Sequence, residues 1–434
     1  MATLILIFII LLAFGLMTKG ILKQEVAMPL VALSAIILSG DNEGMKALHG
    51  GFSEFSRIAV LFTAVAVPAH ILQRSNLLNW IGMWIGELIG KVFIKTKVNI
   101  AILVPIFSLT MVYVMAALFH NTTSILVSSL IILVICKSYK LKALPVLAGA
   151  LVASNLGGFS TRWGDTPNIV EASQWGLTHQ DFFREIMPIN ISSLVLLIGT
   201  VSWWLWNVMK KEASKKGTKF ETAFAMIQFR NSRRDMSLDL RLVRVGLLGL
   251  VIAIIGPLFF LKYELAFSAF AIIISVLGDY SEHRPDTLLA LGIETYATLA
   301  SIFVLAQVLA HSSIGIGNSI QHWLSQSGMS VWAIAVASYV GTLLTEAASW
   351  ASAATPIVHS QAPTHLAAWA LGSGIFAGSS SLVTAASAGI ILVQETKNNP
   401  EDSKITFGSY VIFGLLFSLF MLGYYIVILS LVFR

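Results

Sequence analysis

The chain has 434 residues, 56% of them hydrophobic and only 12% charged, with a formal net charge of +6. Soluble domains carry about twice that charged fraction, and a mean hydropathy of +0.81 points to a polytopic membrane protein rather than a soluble all-α one. The single cysteine, Cys136, excludes an intramolecular disulfide and any cysteine-based metal cluster.

Apolar runs follow one another along the whole chain. Residues Ala2–Thr18, 189–209, 245–261 and 410–433 are each about as long as a bilayer-spanning helix, which takes ~20 residues, and roughly ten such runs are expected. The first run lacks the basic start and small-residue cleavage pattern of a signal peptide, so it is expected to remain as the first transmembrane helix. A Trp- and Gly-rich amphipathic stretch follows at 76–97, of a kind suited to the membrane–water boundary. The next long apolar stretch is interrupted by His120, Asn121, Thr122 and Thr123. Further on, SNLGGFSTRWGDTPN (154–168) interrupts a second one. Gly157, Gly158, Gly164 and Pro167 fall so close together there that no helix can continue through them.

Residues 210–244 hold ten of the 28 Lys and Arg: Lys210, Lys211, Lys215, Lys216, Lys219, Arg230, Arg233, Arg234, Arg241 and Arg244. A short basic loop between spans stays on the cytoplasmic side, so the charge is read as topology and not as nucleic-acid affinity. The loop divides a first membrane repeat, 1–209, from a second, 245–434. The second repeats the order of events. An amphipathic stretch lies at 313–330, a polar interruption at Thr345, Glu346, Ala347, Ala348 and Ser349, and a Gly/Ser-rich interruption at 372–389. That last segment is less strongly punctuated than its counterpart in the first half. Paired interruptions at matching places are the best sequence pointer to a transporter site. Lipid cannot satisfy free backbone groups, so non-helical chain survives at depth only where protein or water covers it.

Charged residues within apolar stretches are few: Arg162, Asp165 and Glu171 around the first break, and Glu346 in the second hairpin-like interruption. Such groups normally face a cavity and have a partner; Arg162 and Asp165 are close enough to pair across a turn. Asp165 and Glu346 are candidates for proton coupling, with His120, adjacent to Asn121, as a further pH-linked group. Asn121, Thr122, Thr123, Ser124, Asn155, Ser160, Thr161 and Asn168 offer oxygens of the kind that suit a hard cation such as Na+, with Asn121 and Asp165 as its ligands. Half-helix N-termini at Asn121 and Pro167 offer positive dipole ends to an anion instead. His359 and His365, in HSQAPTH, read as surface residues, and Glu294 as a helix start. Metalloprotease, nucleophile-elbow, P-loop and dinucleotide signatures are absent, which argues against an enzyme and against ATP-driven pumping by this chain alone.

The run at 154–173 resembles the broken-helix signature of the ion transporter superfamily, which includes arsenite permeases, a class of sodium–proton antiporters, divalent-anion/sodium symporters and citrate carriers. Asn155, Gly157, Gly158, Thr161, Gly164, Asp165, Pro167 and Asn168 fill its pattern. ALFHNTTSILV (117–127) is similar to the first hairpin tip, LLTEAASWASAATP (343–356) to the second, and AGSSSLVTAASAGIILV (377–393), with Ser379 and Ser380, to the second broken helix. The resemblance implies an all-α fold of two inverted repeats, with re-entrant hairpins whose tips meet broken helices. It also implies an elevator motion, often in a dimer. It places Gly158, Arg162, Ser349, Ser379 and Ser380 with the oxygen-bearing residues above at the substrate and ion site. His120 stands where antiporters often carry an acid, Glu346 where they tend to place Asp, and Arg162 where an apolar residue is usual. The chain is thus expected to be an ion-coupled secondary transporter, multi-pass in the inner membrane. Na+/H+ antiport leads; transport of a small anion (arsenite-like, an oxyanion or a carboxylate) coupled to H+ or Na+ is the alternative, and a channel a further one. No cofactor is expected beyond transported or coupling H+ or Na+, no tightly bound metal, and no partner beyond the small ion, the lipid bilayer and a second copy.

Overall fold

The computed structural model describes residues 2–433 apart from 20, 120, 163, 213–218, 260–262, 280–292, 315–316 and 398–402. Its regular structure is helical, with no strand among the described residues. The first half gives α1 (Ala2–Thr18), α2 (Gln24–Ser39), α3 (Asp41–Arg74), α4 (Leu77–Thr96), α5 (Ile100–Phe119), α6 (Asn121–Ser138), α7 (Leu144–Phe159), α8 (Thr166–Trp175) and α9 (Met187–Glu212). A π-helical turn, Phe182–Ile186, leads into α9. Next comes α10 (Lys219–Asp235). The second half gives α11 (Leu240–Phe259), α12 (Glu264–Gly278), α13 (Ile293–His311), α14 (Gly317–Gln326), α15 (Val331–Leu344), α16 (Ala347–Gln361), α17 (His365–Ser379), α18 (Ser387–Thr396) and α19 (Phe407–Val432).

The last two helices of each half match in length: α8 and α18 have ten residues each, α9 and α19 twenty-six each. Packing sorts them into two bundles. An outer bundle joins α1–α3 to α11–α13, and a core bundle joins α5–α9 to α15–α19. Within the core the halves exchange partners: α8 lies on α16 of the second hairpin, and α18 on α6 of the first. Every residue of α7 from Pro145 to Phe159 is buried, as is every residue of α17 from Ala367 to Ser379. Small residues make this close approach practicable: a Cβ on Gly157 would press into the Tyr113 carbonyl oxygen, and one on Gly374 into that of Ala335.

Apolar side chains also face outward in stripes, among them Leu4, Phe8 and Leu11 on α1 and Ile412, Leu416 and Leu419 on α19. Water would not tolerate so extended an apolar surface, whereas lipid does. Among the described residues four helical segments are long and apolar enough to cross a membrane: Leu77–Thr96, Ile100–Leu118, His179–Met209 and Phe407–Val432. The other apolar helices are shorter. One of them, Leu144–Phe159, is the first half of the helix divided by the first break.

The basic segment 210–244 contains a helix. On α10, Phe229 fits over Gly86 of α4, where an added Cβ would lie 2.5 Å from its ring, and Arg233 sits 5.4 Å from the centre of the Trp80 ring. Glu87, buried on α4, is gripped by Lys91 at 2.9 Å, Arg230 at 3.0 Å and Arg233 at 2.9 Å. Part of the positive charge therefore serves to dock α10 on α4.

Candidate functional site

Both breaks are real interruptions of helix. Residues 160–165 separate α7 from α8, and 380–386 separate α17 from α18. The first ends where Asp165, in extended backbone, caps α8: its Oδ1 accepts the Thr166 N–H at 2.8 Å, with Pro167 following in the first turn. Gly176, at φ +67°, ends α8 in the left-handed region that glycine tolerates. The second break contains neither Gly nor Pro between 380 and 386, yet it is as complete as the first. Tertiary bonds hold it open: the Tyr410 hydroxyl donates to the Ser380 carbonyl at 2.6 Å.

Each hairpin tip is tied to the break of its own half by main chain. Asn121, first residue of α6, donates its backbone N–H to the Gly164 carbonyl at 2.9 Å. Ala347, first residue of α16, donates to Ala385 at 3.2 Å in the same way. A tyrosine–serine pair braces each half as well. The hydroxyls of Tyr113 and Ser160 lie 2.8 Å apart, and Ser381 donates to the Tyr339 hydroxyl at 3.0 Å. Asn190 of α9 donates to Ser160 at 2.9 Å and accepts from Tyr425; Ser418 of α19 lies 2.7 Å from Ser381.

Side chains connect the two breaks to each other. Asn121 Nδ2 donates to Asp165 Oδ2 at 2.8 Å and approaches Asn155 Oδ1 at 3.4 Å. Asn155 Nδ2 in turn donates to Ser380 Oγ at 3.2 Å. Asn121 Oδ1 is buried and has no donor among the described residues. Asp165, Asn121, Asn155 and Ser380 therefore form one polar line from the first break, past the first hairpin tip, to the second break. Gly158 lies at its crowded point: a Cβ there would stand 3.0 Å from the Gly164 carbonyl oxygen, 3.2 Å from Asn121 Cβ and 3.3 Å from Asp165 Cβ.

Other expected site residues serve the local chain. Asn168 Nδ2 donates to the carbonyls of Gly158 at 2.8 Å and Thr161 at 2.7 Å, stapling the first break shut. Thr161 Oγ1 donates to Ala117 at 2.9 Å, and Ser379 to its own helix at Phe376. Glu346, buried, accepts the Ala348 N–H at 2.8 Å and so caps α16. Thr122 is buried. The side chains of Thr123 and Ser349, and the whole of His120, lie outside the described residues.

The pairing of Arg162 with Asp165 does not form. Both Asp165 oxygens are taken by Thr166 and Asn121, and the charge of Arg162, partly exposed, is felt at His179 instead. His365 is exposed, as expected of a surface residue, and His359 half-buried; both stand at helix ends. His359 lies in the last turn of α16, its ring against Trp175 of α8, and His365 begins α17 with Nδ1 3.4 Å from Glu185 Oε2. Sequence reasoning passed over Tyr113, Tyr339, Ser381 and Asn190. Each is unremarkable in its own segment, and only aligning the two halves by their hairpins would have matched the tyrosines.

A helical membrane chain with paired broken helices meeting paired hairpins has the architecture of a secondary transporter. The sequence profile of a family described as citrate transporter matches residues 1–379, and the chain belongs to that family. It is 22% identical over 351 residues to a 46 kDa membrane protein of Mycobacterium leprae, covering 79% of this chain and 78% of that one. It is 26% identical over 363 residues to the magnetosome protein MamN of Magnetospirillum gryphiswaldense, covering 80% and 78%. An uncharacterized transporter of Mycobacterium tuberculosis is 25% identical over 151 residues, 35% of this chain, and the match spans only 33% of that protein.

Proposed function

We propose that this chain is an inner-membrane transporter that exchanges a small cation, Na+ in the leading case, for protons, with the cation held at Asp165 and Asn121. The contact between these two residues is the observation that carries it. A half-buried carboxylate meets an amide whose own oxygen has no donor among the described residues, beside Asn155 and Ser380. Carboxylate, amide and hydroxyl oxygens suit a hard cation, and a cation here would give Asn121 Oδ1 the partner it lacks. Arg162 does not neutralise Asp165, so the negative charge is available. Glu346 and His120 remain proton-coupling candidates, and the core bundle is the part that moves, against α1–α3 and α11–α13.

A second function is favoured by the description of the family as citrate transporter. In it a small carboxylate travels together with a cation, the cation at Asp165 offsetting the repulsion between two negative groups and the carboxylate facing the N-termini of α6 and α8.

Purified protein in proteoliposomes with an imposed proton gradient tests both. Na+ added to the outside should dissipate the gradient. If citrate dissipates it and Na+ does not, cation exchange is wrong and the carboxylate is the substrate.

A further inference from the structure

Glu171 lies on α8, is fully buried, and neither of its carboxylate oxygens has a hydrogen-bond partner among the described residues. Oε2 is set against Gly372 of α17, where an added Cβ would come 2.8 Å from it and 2.5 Å from the Phe159 ring. Phe159 in turn stacks on Phe376, ring planes 5° apart and centres 6.0 Å apart. A bare glycine, with the Phe159 ring beside it, thus stands against the carboxyl. Leu392 holds the matching place on α18, so the second half has no such group.

The titratable and charged groups around it are these. On its own helix, Asp165 is near enough for its charge to bear on Glu171. From α16, His359 faces α8 one turn beyond, against Trp175 and Gln174, while Glu346 is committed to capping the far end of α16. From α17, His365 at the helix start is engaged with Glu185. From the break, Arg162 acts on His179. None of them forms an ion pair with Glu171 among the described residues.

An ionised carboxylate there would have neither counter-charge nor hydrogen bond among the described residues, and burying a charge unpaired is costly, which favours the protonated carboxyl. We infer that Glu171 is the proton-carrying partner of Asp165: it holds its proton while Asp165 is empty and ionised, and releases it when a cation neutralises Asp165. In this exchange Asp165 carboxylate and M+ form an ion pair while the Glu171 carboxyl becomes a carboxylate and one H+ leaves, so charge at the site is conserved. By linkage, proton uptake at Glu171 must expel the cation equally well. The proposal rests on cation binding at Asp165 and assigns its counter-ion a site.

Two measurements separate this inference from the function it rests on. The first needs no substrate. Infrared spectra of reconstituted wild type minus Glu171→Gln at neutral pH should show the carbonyl stretch of a protonated carboxyl. Its absence overturns the inference. The second uses proteoliposomes and Na+. Glu171→Gln should keep Na+/Na+ exchange but lose Na+-driven proton movement by about tenfold or more. Proton movement at the wild-type rate in Glu171→Gln overturns the inference. If wild type itself shows no Na+-driven proton movement, cation exchange is what fails, and the infrared band alone decides whether Glu171 carries a proton. Glu171→Leu guards against misfolding of the first variant: it suits the apolar wall, should fold as wild type does, and should show the same loss of coupling.

Discussion

Tyr113 and Ser160 meet hydroxyl to hydroxyl at 2.8 Å, and the same two residue types meet again in the other half as Tyr339 and Ser381 at 3.0 Å. In both cases the tyrosine comes from the first arm of a hairpin and the serine from the break of the helix packed beside it. The backbone bonds from Asn121 to Gly164 and from Ala347 to Ala385 repeat the same relation one step further along. Each half thus fixes its own hairpin to its own break. The link between halves is left to side chains, Asn155 to Ser380.

Removing either tyrosine hydroxyl should be mild, because both serines keep a second partner, Asn190 for Ser160 and Ser418 for Ser381. Tyr113→Phe and Tyr339→Phe should each lower stability by about 1 kcal/mol. The two sites share no partner, so the double variant should be additive to within about 0.5 kcal/mol. Denaturant titration of the purified protein checks this, and strong non-additivity would mean that the braces are not independent.

Asn121→Ala removes the amide that donates to Asp165. A hydrogen bond to a charged group is worth about 1.5–3 kcal/mol, so coupled transport should fall about 10- to 100-fold. Asp165→Asn should abolish it while the protein remains folded. Uptake by proteoliposomes, alongside a melting curve, reads both; wild-type transport by Asp165→Asn would remove that residue from the site.

Gly157→Ala sets a methyl group against the Tyr113 carbonyl oxygen, and Gly378→Ala sets one 2.8 Å from that of Tyr339 and 2.6 Å from Thr342 Cβ. Overpacking of this kind costs about 1–3 kcal/mol. The loss should be greater at 157, where main chain itself must retreat. Melting temperatures of the two variants give the comparison, and equal, negligible shifts would contradict the close packing of α5 on α7.

Glu87→Gln removes the one negative charge among Lys91, Arg230 and Arg233. Those partners are 55%, 48% and 22% exposed, so solvent screens the loss to about 1 kcal/mol. That is enough to loosen α10 from α4. Trypsin should cut faster after Arg230, Arg233 and Arg234, and high salt should have the same effect on wild type. An unchanged digestion rate would show that Phe229 over Gly86 holds the helix without the charges.

The sequence by itself determined the class and the first break. Those features rest on local chemistry: apolar runs that water cannot hold, and Gly157, Gly158, Gly164 and Pro167 in a stretch no helix survives. Asp165 was legible too, as a charge that lipid would not accept. The full extent of the second break was decided by tertiary structure. Ser380 to Ala386 has no helix breaker, and the Tyr410 hydroxyl, supplied by a distant helix, takes up the carbonyl that unwinding frees. The same is true of partnership. Spacing allowed Arg162 to reach Asp165, but the cap on α8 and the arrival of Asn121 from another hairpin claimed both oxygens first. Glu171 stood out in the sequence only as one more carboxylate. That it has no partner among the described residues became visible once α16 and α17 packed on α8, because burial is a property of what packs against a residue and not of its neighbours in the chain.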